Sequence, residues 1–204
     1  MTKDPTSLRD VLIDAGIALL EEGGMPALTL RQTAARAGVS HAAPAHHFDG
    51  LPGLLTAMAA RAFKLFADAT YAGREAGGTD PLLRLLGTTE GYLTFAARHA
   101  GLFHLMFVSP EVNRADPALG PHAARAYQIL REACLPFGNG TPDEALEVAV
   151  WSMVHGYAML GFSTDDRQRG PFLCRPAFPD LIAQLLAGRQ IPVTNPLAPA
   201  PDTR

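Results

Sequence analysis

The chain has 204 residues, of which 48% are hydrophobic and 18% charged, so it can bury a large core. Its formal net charge of −3 excludes a whole-molecule field that attracts nucleic acid or membranes, so any such contact has to be local. Ala and Leu are abundant and the alternating Val, Ile and Thr of strands is scarce, which predicts an all-α protein.

The sequence also indicates a compartment. Cys134 and Cys174 have no CxxC spacing, and we interpret them as buried thiols of a reducing cytosol, with a disulfide between them left open. The first ten residues carry early acids and do not resemble a signal peptide, and no apolar run reaches the roughly 18 residues of a membrane span. We therefore expect a cytoplasmic protein without membrane contact.

Three short helices are predicted at the N-terminus. Ser7 and Asp10 form a capping box for the first helix, which "EEGG" ends at Gly24. Thr29 opens the second helix, with Gln32 as its capping partner, and Ser40 can cap a third.

Longer helices follow. The apolar spacing predicts about nine helices and no strand, with the later ones separated by Gly- and Pro-containing breaks. We predict a helix-turn-helix domain at 1–50, a helical regulatory and dimerisation domain at 51–187, and a Pro-rich, disordered tail at 188–204. The expected later helices run from Leu51 to about Gly73, from Asp80-Pro81, through "GLFHLMFV" after Gly101, from about Asp116 to Leu135, from the Thr141 capping box to about Phe162, and from Phe178 to Leu186.

The stretch "TLRQTAARAGVSHAAPAHHF" carries the functional signal. Two short helical patterns joined by Gly38 are typical of a helix-turn-helix, in which His41 to His47 would be the recognition helix. Its N-terminal end would face base edges. The alternative is an αα-corner inside an ordinary helical core.

The same residues resemble a known family. "LTLRQTAARAGVS", followed by "HHF" and "GLL", is similar to the DNA-binding domain of TetR-family (tetracycline-repressor-like) regulators over about Ser7 to Met58. "WSMVHGYAML" resembles the Trp-His-Gly motif of one regulatory-domain subgroup. The resemblance implies a C2 homodimer that reads a near-palindromic operator on double-stranded DNA and responds to a small ligand.

Two positions depart from the family pattern. Ala45 stands where the family usually has Tyr, and Leu51 where it usually has Lys, and both residues typically touch phosphate. Residues 1–64 hold six basic and six acidic side chains, so this part is formally neutral. Because these phosphate contacts are missing, we expect weaker DNA binding than in the family. We also expect binding to be more pH-sensitive, because imidazoles gain charge as the pH falls through ~6.5. The expected DNA-binding residues are Thr29, Arg31, Ser40, His41, Ala42, Ala43, Ala45, His46 and His47.

Other chemistry is poorly supported. A metal site is the rival interpretation of His41, His46 and His47, but the two adjacent histidines point apart on a helix and no well-spaced carboxylate or Cys accompanies them. The sequence has no G-x-S-x-G, no Gly-rich phosphate loop after a strand and no HExxH. We predict no metal, no cofactor and no enzyme.

The predicted helix from Thr141 to Phe162 is apolar nearly all round, so a partner subunit is expected to cover part of it together with the last helix. Trp151 and His155 are either core residues or part of a pocket wall. A cavity rich in aromatic and Met side chains would suit a small hydrophobic ligand. The expected ligand-binding residues are Phe95, His99, Phe103, Met106, Phe107, Tyr127, Trp151, His155, Met159 and Phe162.

The predicted function is a ligand-responsive DNA-binding transcriptional regulator, most simply a repressor that a small hydrophobic molecule releases from its operator. Two alternatives stay open: a dimeric small-molecule-binding protein with weakened or lost DNA binding, and a helical enzyme.

Overall fold

The computed structural model of the chain describes residues 7–161 and 176–188. Within these ranges there are eight α-helices, two short 3-10 helices and no strand, which confirms the all-α prediction. The α-helices are α1 (Leu8–Ala27), α2 (Leu30–Arg36), α3 (Gly50–Ala76), α4 (Pro81–Arg98), α5 (Ala100–Phe107), α6 (Gly120–Cys134), α7 (Glu144–Met159) and α8 (Phe178–Leu185), and the 3-10 helices are Ala43–His46 and Leu135–Gly138.

The first two helices begin at the predicted caps. The Ser7 hydroxyl oxygen accepts the Asp10 N–H at 3.2 Å, and the Thr29 hydroxyl oxygen accepts the Gln32 N–H at 3.1 Å. Each bond satisfies one of the free N–H groups of a first turn. Near its end α1 is interrupted at Gly24, whose φ of 67° is a left-handed value that glycine adopts without steric cost.

Helix α7 begins later than predicted. Its N-cap is Asp143, whose Oδ1 accepts the Leu146 N–H at 3.0 Å, so the prediction of Thr141 as the cap is wrong. The Thr141 hydroxyl donates instead to the Gly138 carbonyl at 2.8 Å, which keeps it in the preceding turn. The predicted helix end at Phe162 and the tail after Gly188 lie outside the described residues.

The chain divides into two compact units. The first unit contains Met1–Ala69 and Tyr92–Gln128, and the second contains Thr70–Gly91 and Ile129–Arg204. This division follows packing between segments that are distant in sequence. The predicted boundary between residues 50 and 51 separates a DNA-binding domain from a regulatory domain by function, and it stays a prediction.

In the first unit, α1, α3 and α5 share an apolar core. The side chains of Leu12, Leu54, Met58 and Leu102 are fully buried. Helices α1 and α3 approach closely at Gly16, where a Cβ atom would lie 2.8 Å from the Met58 sulfur. This packing fixes the start of α3, and with it the residues just before α3, against α1.

In the second unit, α3 and α4 cross through two glycines. A Cβ on Gly73 would lie 2.0 Å from the Gly87 carbonyl oxygen, and a Cβ on Gly87 would lie 2.0 Å from the Gly73 oxygen. The two backbones are therefore in direct contact, which no larger residue would allow. Beside the crossing, the largely buried Arg74 pairs with Glu132 of α6.

Candidate nucleic-acid interface

A tight turn follows α2, as the sequence predicted. Gly38 has a φ of 71° and donates its N–H to the Ala35 carbonyl at 3.1 Å, while Val39 donates to the Ala34 carbonyl at 3.0 Å. These bonds satisfy the last carbonyls of α2 and reverse the chain within a few residues. Ala34 is fully buried, so α2 is held to the first unit by its small-residue face.

The segment after this turn is not the α-helix that we predicted for His41 to His47. Only Ala43–His46 is helical, and it is a 3-10 helix without a side-chain cap from Ser40. The Ser40 carbonyl, not its hydroxyl, accepts the Ala43 N–H at 3.0 Å. Pro44 removes an N–H within this short stretch, which favours a single tight turn over a regular α-helix. We call residues 41–47 the recognition segment.

The recognition segment presents its imidazoles to the surface. His41, His46 and His47 are exposed, whereas Pro44 and Phe48 are buried beneath them. The three histidines therefore lie on a surface that a ligand can reach. Among the predicted DNA-binding residues, Ala43 is half-buried and the others are exposed: Thr29, Arg31, Ser40, His41, Ala42, Ala45, His46 and His47.

An ion pair holds α2 to α1 beside this surface. The Arg36 guanidinium donates two hydrogen bonds to the Glu22 carboxylate, at 2.6 and 2.5 Å. These bonds, and secondarily the guanidinium charge, lower the pKa of Glu22. Both side chains are well exposed, so the pair contributes orientation more than stability.

A basic side chain that sequence reasoning missed lies at the other edge of the recognition segment. The Arg9 guanidinium carbon is 5.4 Å from the centroid of the Phe48 ring, and the His47 ring lies 6.3 Å from the same ring. Arg9 belongs to the first turn of α1, far from Phe48 in sequence. No local pattern signals this contact, because it depends on how α1 packs.

The predicted ligand-binding residues of the first unit form part of its aromatic core. Phe95 and Tyr92 pack edge-to-face against Phe66, with centroid distances of 5.4 and 4.8 Å, and Phe103 lies 4.9 Å from Phe107. Phe95, Phe103 and Met106 are buried, and Phe107 and Tyr127 are half-buried. The structure thus brings Phe95, Phe103 and Phe107 together as packed core side chains.

His99 is tied to the end of α1. Its Nδ1 lies 2.5 Å from a carboxylate oxygen of Glu21, next to Gly101, where a Cβ atom would lie 3.3 Å from Leu20. Glu21 therefore holds the corner between α4 and α5, while its neighbour Glu22 holds α2. His99 contributes to a contact between elements that its sequence position did not indicate.

The predicted ligand-binding residues of the second unit lie on α7. Trp151 is 41% exposed and Met159 is 49% exposed, which contradicts the interpretation of Trp151 as a core residue of the single chain. His155 lies between them, and partial burial lowers its pKa below the ordinary value. Val148 is also exposed, so α7 carries an exposed apolar face. Phe162 lies outside the described residues.

Over residues 7–161 and 176–188, no three His, Cys, Asp or Glu side chains are grouped so that they could hold a metal ion. None of the helices in that part of the chain is long and apolar enough to cross a membrane.

Two family models match the chain, one in its N-terminal and one in its C-terminal region. Residues 12–58 match the family model of bacterial regulatory proteins of the tetR family, and residues 85–167 match the tetracyclin repressor-like C-terminal domain. Among curated proteins no match was found.

Solved structures share the fold. A protein of unknown function from Rhodococcus sp. RHA1 is 24% identical, with 91% of this chain and 95% of that chain covered and a TM-score of 0.69. A TetR family transcription regulator from Marinobacter aquaeolei VT8 is 17% identical, with 79% and 87% covered and a TM-score of 0.56. The multidrug binding protein EbrR, solved with imidazole, is 20% identical, with 94% and 99% covered and a TM-score of 0.56.

Proposed function

Because the chain belongs to the TetR family of bacterial transcription regulators, we propose that it is a homodimeric repressor that a small hydrophobic molecule releases from its operator. Family membership also confirms the prediction that the chain is not an enzyme. The N-terminal domain is the DNA-binding part, and the regulator acts in the cytoplasm, where the chromosome is.

The observation that carries the DNA-binding part of the proposal is the exposed recognition segment. His41, His46 and His47 extend from a short turn whose buried Pro44 and Phe48 anchor it to the first unit. Neutral imidazoles both donate and accept hydrogen bonds, and protonated ones add charge toward phosphate. The segment therefore supplies base-edge contacts, while Thr29, Arg31 and Ser40 supply contacts to the DNA backbone.

Dimer formation is supported by the exposed apolar face of α7. Val148, Trp151 and Met159 are between 41% and 51% exposed, and their spacing places them along one side of the helix. A contiguous apolar face of this kind is stable in water when a second copy covers it. In the dimer, the recognition segments read two half-sites about 34–36 Å apart.

The ligand part of the proposal is supported by side-chain chemistry. The regulatory part of the chain is rich in aromatic and Met side chains, which adapt to apolar ligands of modest size. EbrR, which has the same fold, is described as a multidrug binding protein. We propose that the bound ligand favours an arrangement of α3 in which the chain binds DNA less well. The coupling free energy between ligand binding and DNA binding would be about 1–3 kcal/mol.

Selection of bound duplexes from random DNA, using the full-length chain, tests the proposal. The expected product is a near-palindrome whose half-sites are one helical turn apart, bound with a steep salt dependence. His46→Ala should weaken binding to that duplex by about 5- to 150-fold, the range of one base contact. His104→Ala, at an exposed position of α5, removes the same group away from the recognition segment and should leave affinity unchanged.

One result would favour the alternative function. The balanced charge of residues 1–64 supports a dimeric small-molecule-binding protein that no longer recognises DNA. If the chain dimerises but selects no duplex even at low salt, that alternative replaces the repressor.

A further inference from the structure

The ion pairs near the recognition segment show which cations are committed within the protein. Residues 7–64 contain five Lys and Arg side chains. Arg36 pairs with Glu22, Arg61 pairs with Asp10 and Asp14, and Lys64 pairs with Asp68. A cation that already neutralises a carboxylate releases few DNA counterions, so these three contribute little attraction to a duplex.

Two cations remain. Among the described residues, no carboxylate oxygen lies within 4.0 Å of the guanidinium groups of Arg9 or Arg31, and both side chains belong to exposed residues. Arg31 lies in the first turn of α2 and was predicted from sequence to contact DNA. Arg9 was not, because it belongs to α1, which precedes the helix-turn-helix.

The position of Arg9 is fixed by the Phe48 ring. Its guanidinium carbon lies 5.4 Å from the ring centroid, a distance typical of a cation–π contact. Phe48 follows the exposed His47 directly, and its ring lies 6.3 Å from the imidazole. The Arg9 charge is therefore held beside the last residue of the recognition segment, while Arg31 lies on the helix before that segment.

We propose that Arg9 is a DNA phosphate contact, which together with Arg31 supplies positive charge that is not held in an ion pair, in a region, residues 1–64, that is formally neutral. The inference rests on the proposed DNA-binding function and adds a residue of α1 to it. A phosphate beside a groove that is read by the recognition segment lies at the edge of that segment, where the guanidinium is held. A guanidinium can donate two parallel hydrogen bonds to phosphate while its face stays on the ring.

The test measures how affinity for the selected duplex changes with salt, in the full-length wild type and in three variants. Arg9→Gln removes the charge, and Arg9→Lys keeps it. Lys64→Gln is the matched control, because Lys64 lines the same surface groove as Arg9 but is paired with Asp68. Equal circular dichroism spectra and melting temperatures establish that the variants are folded.

For one lost phosphate contact, the slope of log affinity against log salt falls by about 0.9. Between about 50 and about 200 mM salt, the affinity of the wild type should therefore drop about 3.5-fold more per chain than that of Arg9→Gln, or about 12-fold more for two copies on one duplex. Arg9→Lys and Lys64→Gln should keep the wild-type slope.

Several outcomes overturn the inference. A wild-type slope in Arg9→Gln means that Arg9 does not contact phosphate, even though DNA is bound. An equal loss of slope in Lys64→Gln means that only the overall charge of residues 1–64 acts. If the wild type binds no duplex at low salt, the proposed function itself fails, and the inference fails with it.

Discussion

Replacing Gly87 by Ala tests the close crossing of α3 and α4 in the second unit. The new Cβ would lie 2.0 Å from the Gly73 carbonyl oxygen and 2.7 Å from its carbonyl carbon. Ordinary van der Waals contact begins at 3.4 Å, so the helices would have to separate locally by about 1.4 Å. Both atoms belong to backbone, which cannot rotate out of the way as a side chain can.

Two opposing effects set the change in the free energy of unfolding. Overpacking of a tight contact costs about 3 kcal/mol at the upper end of its usual range, and Ala gains about 1 kcal/mol over Gly in a helix. We therefore expect Gly87→Ala to lower the free energy of unfolding by about 2 kcal/mol and the melting temperature by about 4–8 °C. Gly73→Ala, on the facing helix, should have a similar effect.

Urea or thermal unfolding at one fixed protein concentration measures this loss, because the stability of a dimer depends on concentration. Gly53→Ala in α3 is the matched control, since its Cβ would meet the nearest described atoms at 3.5 Å. That variant should be as stable as the wild type or slightly more stable. A Gly87→Ala protein with wild-type stability would refute the described crossing.

Three further predictions concern α7. Asp143→Ala should cost about 1 kcal/mol of stability by removing the N-cap, whereas Thr141→Ala should cost less than about 0.5 kcal/mol in the same unfolding measurement. Trp151, the single Trp, is 41% exposed in one chain, so its fluorescence should shift to the red when the proposed dimer dissociates on dilution; constant emission across a dissociation seen by sedimentation would contradict the proposed α7 interface. Burial lowers the pKa of His155 from 6.5, so the folded chain binds fewer protons than the unfolded one, and stability should be lost as pH falls below about 6.5 and be constant above it. His155→Asn should remove that part of the pH dependence, which unfolding at a series of pH values measures.

Local signals in the sequence predicted much of the fold. The caps at Ser7 and Thr29 and the turn at Gly38 depend on residues within a few positions, and the structure has them as predicted. Residues 41–47 were predicted to form an α-helix, but Pro44 lacks an N–H and only a 3-10 helix forms in this short segment. The sequence pattern does not predict this conformation correctly, because a few backbone hydrogen bonds decide it in so short a segment.

The candidate site was less predictable because its contacts join distant residues. Arg36 bonds Glu22, fourteen positions away, and Arg61 bonds Asp10, fifty-one positions away. A count of charges could show that residues 1–64 are formally neutral, but not which of their cations are already paired. The contact between Arg9 and Phe48 and the exposure of Trp151 likewise depend on tertiary packing.

Two neighbouring carboxylates near the end of α1 support two different parts of the chain. Glu22 bonds Arg36 on α2, and Glu21 bonds His99 where α4 meets α5. One helical turn is thus a shared support for the DNA-reading surface and for the corner that precedes α5. In the proposed regulator, substitutions in that turn would change how strongly the ligand affects DNA binding without changing the residues that contact the bases or the ligand.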